Sequence, residues 1–360
     1  MHALLLSFLL VSTPQVIVGS GTPIPDLPGP ALKRPFLTWV TGELGSSDVI
    51  FEVRFDPRIA GSARARVVVT DPRGALDGID FVPGGTPLDV VVGMPTGIVS
   101  HYDLASGAIL PDFVADTDLV PVPPLGPGTH PSTVWSTPTH VYYVENQFGF
   151  GATASHRLMR KPWAAGPVEV VYDGAAHGLK NFEGLEGFGG RLYFFAEDPA
   201  LPTARALVSV GVLPLGVWDG APFAKHIGGL HEDPTSTDGS DELDFDPASG
   251  FLFGTNIENG EVIAWNPAAG MEMSSPGALH FVDGGQVSAS SGALGALGGE
   301  IDGLRSVGNG WIVFTGKAGV IVSLDVAGVL ADGADDGDAR VLFSMPGPVH
   351  FDDLTPVLRP

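Results

Sequence analysis

One pattern returns along this chain at long, nearly even intervals, and it constrains the fold more than any local propensity does. Its complete copies are Leu76 to Val92 (LDGIDFVPGGTPLDVVV), Phe182 to Glu197 (FEGLEGFGGRLYFFAE), Ser240 to Asn256 (SDELDFDPASGFLFGTN) and Ile301 to Gly316 (IDGLRSVGNGWIVFTG). Each opens on an apolar or small residue, then an acid, any residue, and Leu or Ile. It then passes through a Gly-bearing turn into an apolar strand. A shortened copy is Phe351 to Leu358 (FDDLTPVL), and a weaker one, Ser132 to Glu145, has Ser132 in the acidic place. The marker positions Asp77, Ser132, Glu183, Asp241, Asp302 and Asp352 lie 55, 51, 58, 61 and 50 residues apart. That interval suits a four-stranded sheet repeated around an axis.

Only 8 residues follow Asp352, too few for a whole unit, so its missing strands must come from elsewhere. Phe36–Val40 and Val49–Phe55 are strand-like runs that no other unit claims. The expected fold is therefore all-β: a six-bladed β-propeller over residues 36–360, with one blade closed by both chain ends. The 50 Gly and 32 Pro, against 16% charged residues, fit many short strands joined by tight turns. Alternation in Ile98–Leu104 and Glu261–Asn266 implies that both faces of a blade are buried against neighbours. A two-domain β-sandwich is the competing architecture, but sandwiches need not repeat at a fixed period.

Residues at one repeat position of a propeller form a ring around its channel. Five of the six markers, Asp77, Glu183, Asp241, Asp302 and Asp352, are acids. Carboxylates gathered near one axis repel, and burial would raise their pKa values or call for a cation. Without cysteines, a metal here must use oxygen or imidazole ligands, and Ca2+ or another divalent cation is the best match to a carboxylate set. The bland alternative is that each acid accepts hydrogen bonds from backbone amides of the next blade and only fixes a turn. Two residues before the markers stand His130, Asn181, Glu300 and His350, expected nearer the open mouth. In a hydrolytic reading Asp302, His350 or His130 accepts a proton from water, while Asn181 and Glu300 contact substrate. For either histidine alone, a surface loop position is the competing reading. The acidic loops His231–Asp246 and Asp332–Asp338 lack the EF-hand pattern and are read as solvated.

The segments Asp302-Gly303-Leu304 with Gly308-Asn309-Gly310-Trp311-Ile312-Val313, and Glu183-Gly184-Leu185 with Gly190-Arg191-Leu192-Tyr193, resemble signatures of the gluconolactonase/regucalcin-like propellers. The resemblance runs over about residues 75–360. It implies a six-bladed fold with a divalent cation, often calcium, on the axis, and hydrolysis of lactones or phosphoesters beside it. Asp302 would match that family's metal-binding, catalytically important aspartate. Glu183 departs from the pattern by standing where the family has a ligand asparagine. The family's early Glu-Gly-Pro is missing, with Asp77-Gly78-Ile79 the nearest counterpart.

A formal net charge of −23, with no basic cluster among aromatics, argues against nucleic acid as a partner. No serine-hydrolase elbow, phosphate-binding Gly-rich loop or zinc-protease helix is present. Residues 1–20 contain the apolar run Ala3–Val11 and small residues at Val18-Gly19-Ser20, the layout of an export signal. Residues 21–35 follow as a Pro-rich linker. A secreted or periplasmic monomer is expected, with no membrane insertion once the signal is removed. Two functions stay open: a metal-dependent hydrolase of a small lactone, ester or phosphoester, and a non-catalytic propeller that binds a glycan or protein around a structural cation.

Overall fold

A computed structural model describes residues 35–359 apart from 75, 85–87, 95–97, 116–128, 131–132, 148–155, 199–200, 215, 232–241, 257–260, 268–277, 284–300, 329–337, 346 and 348. The described residues form six antiparallel sheets. Blade 1 pairs Val349–Leu354 with Phe36–Leu44, followed by Ser47–Phe55 and Arg64–Asp71. Blade 2 comprises Ile79–Phe81, Asp89–Met94, Ile98–Asp103 and Ala108–Val114; blade 3 comprises Thr129–His130, Val134–Ser136, His140–Gln147, Arg157–Pro162 and Glu169–Asp173. Blade 4 runs through Glu183–Phe188, Arg191–Asp198, Leu201–Gly211 and Ala224–His231, and blade 5 through Leu243–Asp246, Phe251–Asn256, Glu261–Trp265 and Ala278–Asp283. Blade 6 is Ile301–Ser306, Trp311–Gly316, Val320–Asp325 and Ala339–Ser344.

The innermost strands touch one another in an unbroken circle: Val349–Leu354 meets Ile79–Phe81, then Val134–Ser136, Glu183–Phe188, Leu243–Asp246, Ile301–Ser306 and Val349–Leu354 again. The chain is thus a six-bladed β-propeller. Blade 1 is mixed in origin. Gly42, Glu43 and Leu44 pair with Phe351, His350 and Val349, and Thr38 Oγ1 donates to the Thr355 carbonyl at 2.9 Å.

The core lies between blades rather than at the centre, as alternation dictates, because successive strand residues face opposite neighbours. In Trp311–Gly316, Trp311 and Val313 pack with Phe51 and Phe351 of blade 1, whereas Ile312 and Phe314 pack with Phe253 and Val262 of blade 5. In blade 4, Leu192 and Phe194 meet blade 3 while Tyr193 and Phe195 meet blade 5. Two further clusters, around Trp39 with Tyr102 and around Val91 with Tyr143, fill the remaining gaps. Each of the six junctions thereby has an apolar seam of its own.

Polar ties cross some seams. Between blades 1 and 2, buried Asp71 accepts from Arg73 Nη2 at 2.7 Å and from Tyr102 Oη at 2.7 Å. Burial opposes ionisation of Asp71, but these two partners outweigh it and hold its pKa below the ordinary value.

Candidate acidic channel mouth

The inner strands carry the markers, and a recurring irregularity decides where they point. Pairing shifts register between Ile301 and Leu304, between Glu183 and Glu186, and opposite Val40 to Gly42, where Asp352 and Asp353 together face Thr41. Each is a β-bulge, in which two residues oppose one and the side-chain alternation is broken. Threonines of the second strand clasp the residue after the marker: Thr315 Oγ1 accepts from Gly303 N at 3.0 Å, Thr255 Oγ1 from Glu242 N at 3.1 Å, and Thr41 Oγ1 from Asp353 N at 3.1 Å. Thr315 Oγ1 in turn donates to the Asp352 carbonyl, joining blades 6 and 1. Gly303 is required at this clasp, because a Cβ there would strike the Asp352 carbonyl oxygen and Thr315 Oγ1.

Asp77, Asp302 and Asp352 come together electrostatically at the mouth. Burial pushes the Asp77 and Asp352 carboxyls well above the ordinary range, and each is raised further by Asp302. Glu183 is buried beside Arg205, whose Nη2 lies 3.6 Å from its Oε1. Asp353 and Glu242, the residues next to two markers, also enter the channel. Asp353 is 2% exposed, and among the described residues neither of its carboxyl oxygens has a hydrogen-bond donor; Glu242 Oε1 and Asp302 Oδ2 likewise have none. Asp353 and Glu242 lie carboxyl against carboxyl, as do Asp352 and Asp302, a contact that becomes a hydrogen bond only when one partner carries a proton.

A second tier lies three residues further along the strands. Asp80, Glu186 and Asp244 face the channel here, and Arg305 takes the equivalent place in blade 6. Arg305 Nη1 donates to Glu242 Oε2. Although burial disfavours a charged guanidinium, Glu242, Asp244, Asp353 and Asp80 surround it and hold it charged. Burial raises the carboxyls of Asp80 and Asp244 to about 6, with Arg305 acting in the opposite direction. Glu186 is pushed up by burial and by Asp244. The backbone-capping role applies to this tier. Asp80 Oδ2 accepts from Ser136 N of the next blade at 2.6 Å, and Asp244 Oδ2 accepts from Ser306 N of the next blade.

Of the mouth residues named from sequence, Asn181 has a left-handed φ of 50°. Its Nδ2 donates to Glu197, and its carbonyl accepts from Arg205. His350 sits on the exposed strand end, with Nδ1 3.6 Å from Glu43 Oε2. The backbone of His130 pairs with Asn146, and its side chain falls outside the described set. Ser132, Asp241 and Glu300 lie outside the described residues, as do most of the two acidic loops. Sequence reading missed Lys317, whose Nζ stands 3.7 Å from Asp302 Oδ2, together with Arg305, Glu242, Asp353 and the second-tier acids. An acid directly after or three residues after Asp77, Glu183, Asp241 and Asp352 was the available signal.

Oxygen-only donors with uncommitted lone pairs fit a hard divalent cation. Among the described residues, however, no three acidic or imidazole side chains converge closely enough to ligate one ion as they stand.

No protein-family model matches the chain, and no curated protein matches it. Among solved structures, one from the nidogen/laminin complex matches at 13% identity over 89% of this chain and 98% of its own, with a TM-score of 0.57. A calcium-binding regucalcin from Agrobacterium tumefaciens str. C58 matches at 12% identity over 71% of this chain and 72% of its own, TM-score 0.45, and the computationally designed Ika8 protein at 13%, 84% and 74%, TM-score 0.41. The nidogen/laminin likeness is one of fold.

Proposed function

We propose that this propeller binds a divalent cation, with calcium the best fit, at the mouth of its channel and hydrolyses a small lactone, ester or phosphoester there. The observation that carries the reading is Asp353, a carboxyl buried to 2% exposure whose two oxygens lack donors among the described residues, beside Asp302 Oδ2 and Glu242 Oε1, which lack them too. Buried acceptors left without donors are costly, and protons or a cation must satisfy them. Asp302, Asp352, Asp77 and Asp353 would hold the ion. A bound cation would polarise a carbonyl or phosphoryl oxygen and lower the barrier to attack by water.

The chain's own groups supply the rest. Asp302 Oδ2, with no hydrogen-bond donor among the described residues and the Lys317 ammonium 3.7 Å away, is suited to accept a proton from water, and His350 beside Glu43 can pass it to solvent. The second tier, stapled by Asp80 and Asp244, fixes the floor below. We further propose that residues 1–20 direct export and are removed; mass spectrometry of the mature N-terminus tests this.

A second reading makes the cation structural and the mouth face a binding surface for a glycan or protein. What favours it is the fold likeness to a propeller found in the nidogen/laminin complex. A panel of lactones, esters and phosphoesters, assayed with and without chelator and with Asp302→Asn, separates the two. Hydrolysis lost on chelation and in Asp302→Asn, with folding retained, supports the first. Calcium-dependent melting without turnover of any panel member moves the protein to the second. Hydrolysis indifferent to both treatments overturns the cation-assisted mechanism.

A further inference from the structure

Resting on the cation reading above, we infer that Lys317 is a tethered competitor for the cation: its ammonium occupies the charge-compensating place among the rim carboxylates, and a divalent ion must displace it to bind.

Lys317 lies on the short turn between Trp311–Gly316 and Val320–Asp325. That turn is held tightly. Gly319 N donates to the Gly316 carbonyl at 3.0 Å, Met345 N donates to the Gly319 carbonyl at 2.9 Å, and Gly319 has a left-handed φ of 71° with no room for a Cβ against the carbonyls of Met345 and Val349. The turn therefore projects Lys317 from a fixed base at the end of the strand that faces Asp302. Its side chain is only 30% exposed, with Nζ at 3.7 Å from Asp302 Oδ2.

The same charge acts on Asp77 and Asp352, which belong to two other blades, and favours ionisation of both. One ammonium thus serves three carboxylates drawn from blades 2, 6 and 1. Arg205 is engaged with Glu183 and the Asn181 carbonyl. Among the described residues no three acidic or imidazole side chains converge on one ion, whereas a lysine ammonium is a compact charge on a flexible stem that needs no such convergence. An incoming ion meets like-charge repulsion from Nζ at the distance range where such interactions are strong. The four-carbon stem lets the ammonium swing toward solvent once the carboxylates are taken. Cation affinity is then set by a residue that donates nothing to the ion.

The test is calcium titration by calorimetry on the full chain, comparing the parent with Lys317→Met and Lys317→Arg, with thermal melting to confirm folding. Lys317→Met should bind calcium at least about tenfold more tightly than the parent, while Lys317→Arg, which keeps the charge, stays within about threefold of it. Tighter binding by Lys317→Met should also appear as a larger calcium-induced rise in melting temperature, a readout independent of turnover. If the parent binds calcium and Lys317→Met binds no tighter, the competitor role is overturned and the cation site stands. If neither protein binds calcium, the cation reading falls and takes this inference with it.

Discussion

Replacing Arg305 with Met tests the electrostatic design of the channel most directly. Arg305 is 6% exposed and Glu242 fully buried, and they form an ion pair inside a ring that also holds Asp80, Asp244 and Asp353. Removing one member of a buried pair typically costs about 3–5 kcal/mol, because the partner is left as an uncompensated buried charge. For a chain of 360 residues the midpoint moves about 1.3 °C per kcal/mol, so the apparent melting temperature at pH 7.5 should fall by about 4–7 °C. The sign of the pH dependence follows from the remaining acids. Their carboxyls are already raised by burial, and loss of the guanidinium raises them further. Groups with raised folded-state pKa values contribute fully below the ordinary carboxyl range and lose that contribution as pH climbs through the folded values. The deficit should therefore be largest at pH 7.5 and shrink markedly at pH 5. The double variant Arg305→Met/Glu242→Gln should recover about half of the loss, since neither charge then remains. Scanning calorimetry at fixed rate measures all three. A parent-like melt for Arg305→Met at pH 7.5, or a deficit that does not change between the two pH values, would refute the reasoning.

Gly303→Ala should destabilise the fold by about 2 kcal/mol or more and reduce calcium affinity, because its Cβ collides with the clasp joining blades 6 and 1; chemical denaturation reads the first effect and calorimetry the second. Asp71→Asn removes the buried acceptor shared by Arg73 and Tyr102 and should cost about 2–4 kcal/mol at neutral pH. Because the Asp71 pKa is lowered on folding, that stabilisation is present above the ordinary carboxyl value and lost as pH falls through the lowered one, so parent and variant should converge in acid melts. Deleting residues 349–360 takes away the inner strand of blade 1 and should abolish cooperative melting by circular dichroism; a sharp transition in the truncated chain would contradict the closure described above.

The repeat made the architecture legible because the acid, the Leu or Ile and the Gly turn recur together in the four complete copies. Asp77, Glu183, Asp302 and Asp352 could be picked out for the same reason. Their neighbours could not, because strict alternation puts the residue after a marker on the opposite side. The bulge opposite Thr41 breaks that rule at Asp353, and Thr255 holds the amide of Glu242 in the equivalent clasp of blade 5. Lys317 was hidden by a different cause, as its position depends on how a hairpin turn of one blade leans over its own first strand. Arg305 occupies the slot where Asp80, Glu186 and Asp244 stand in other blades, and only their convergence shows that it is the counter-charge to all of them.

The pairing of Phe36–Leu44 with Val349–Leu354 also dictates when the ring can form. About 305 residues separate Leu44 from Val349, which at ribosomal rates is roughly 15–60 s of synthesis. Throughout that interval the edge of Phe36–Leu44 has backbone donors and acceptors but no partner strand, the condition that invites association with other chains. Cells making this protein must keep that waiting edge apart from its neighbours until the closing strand arrives.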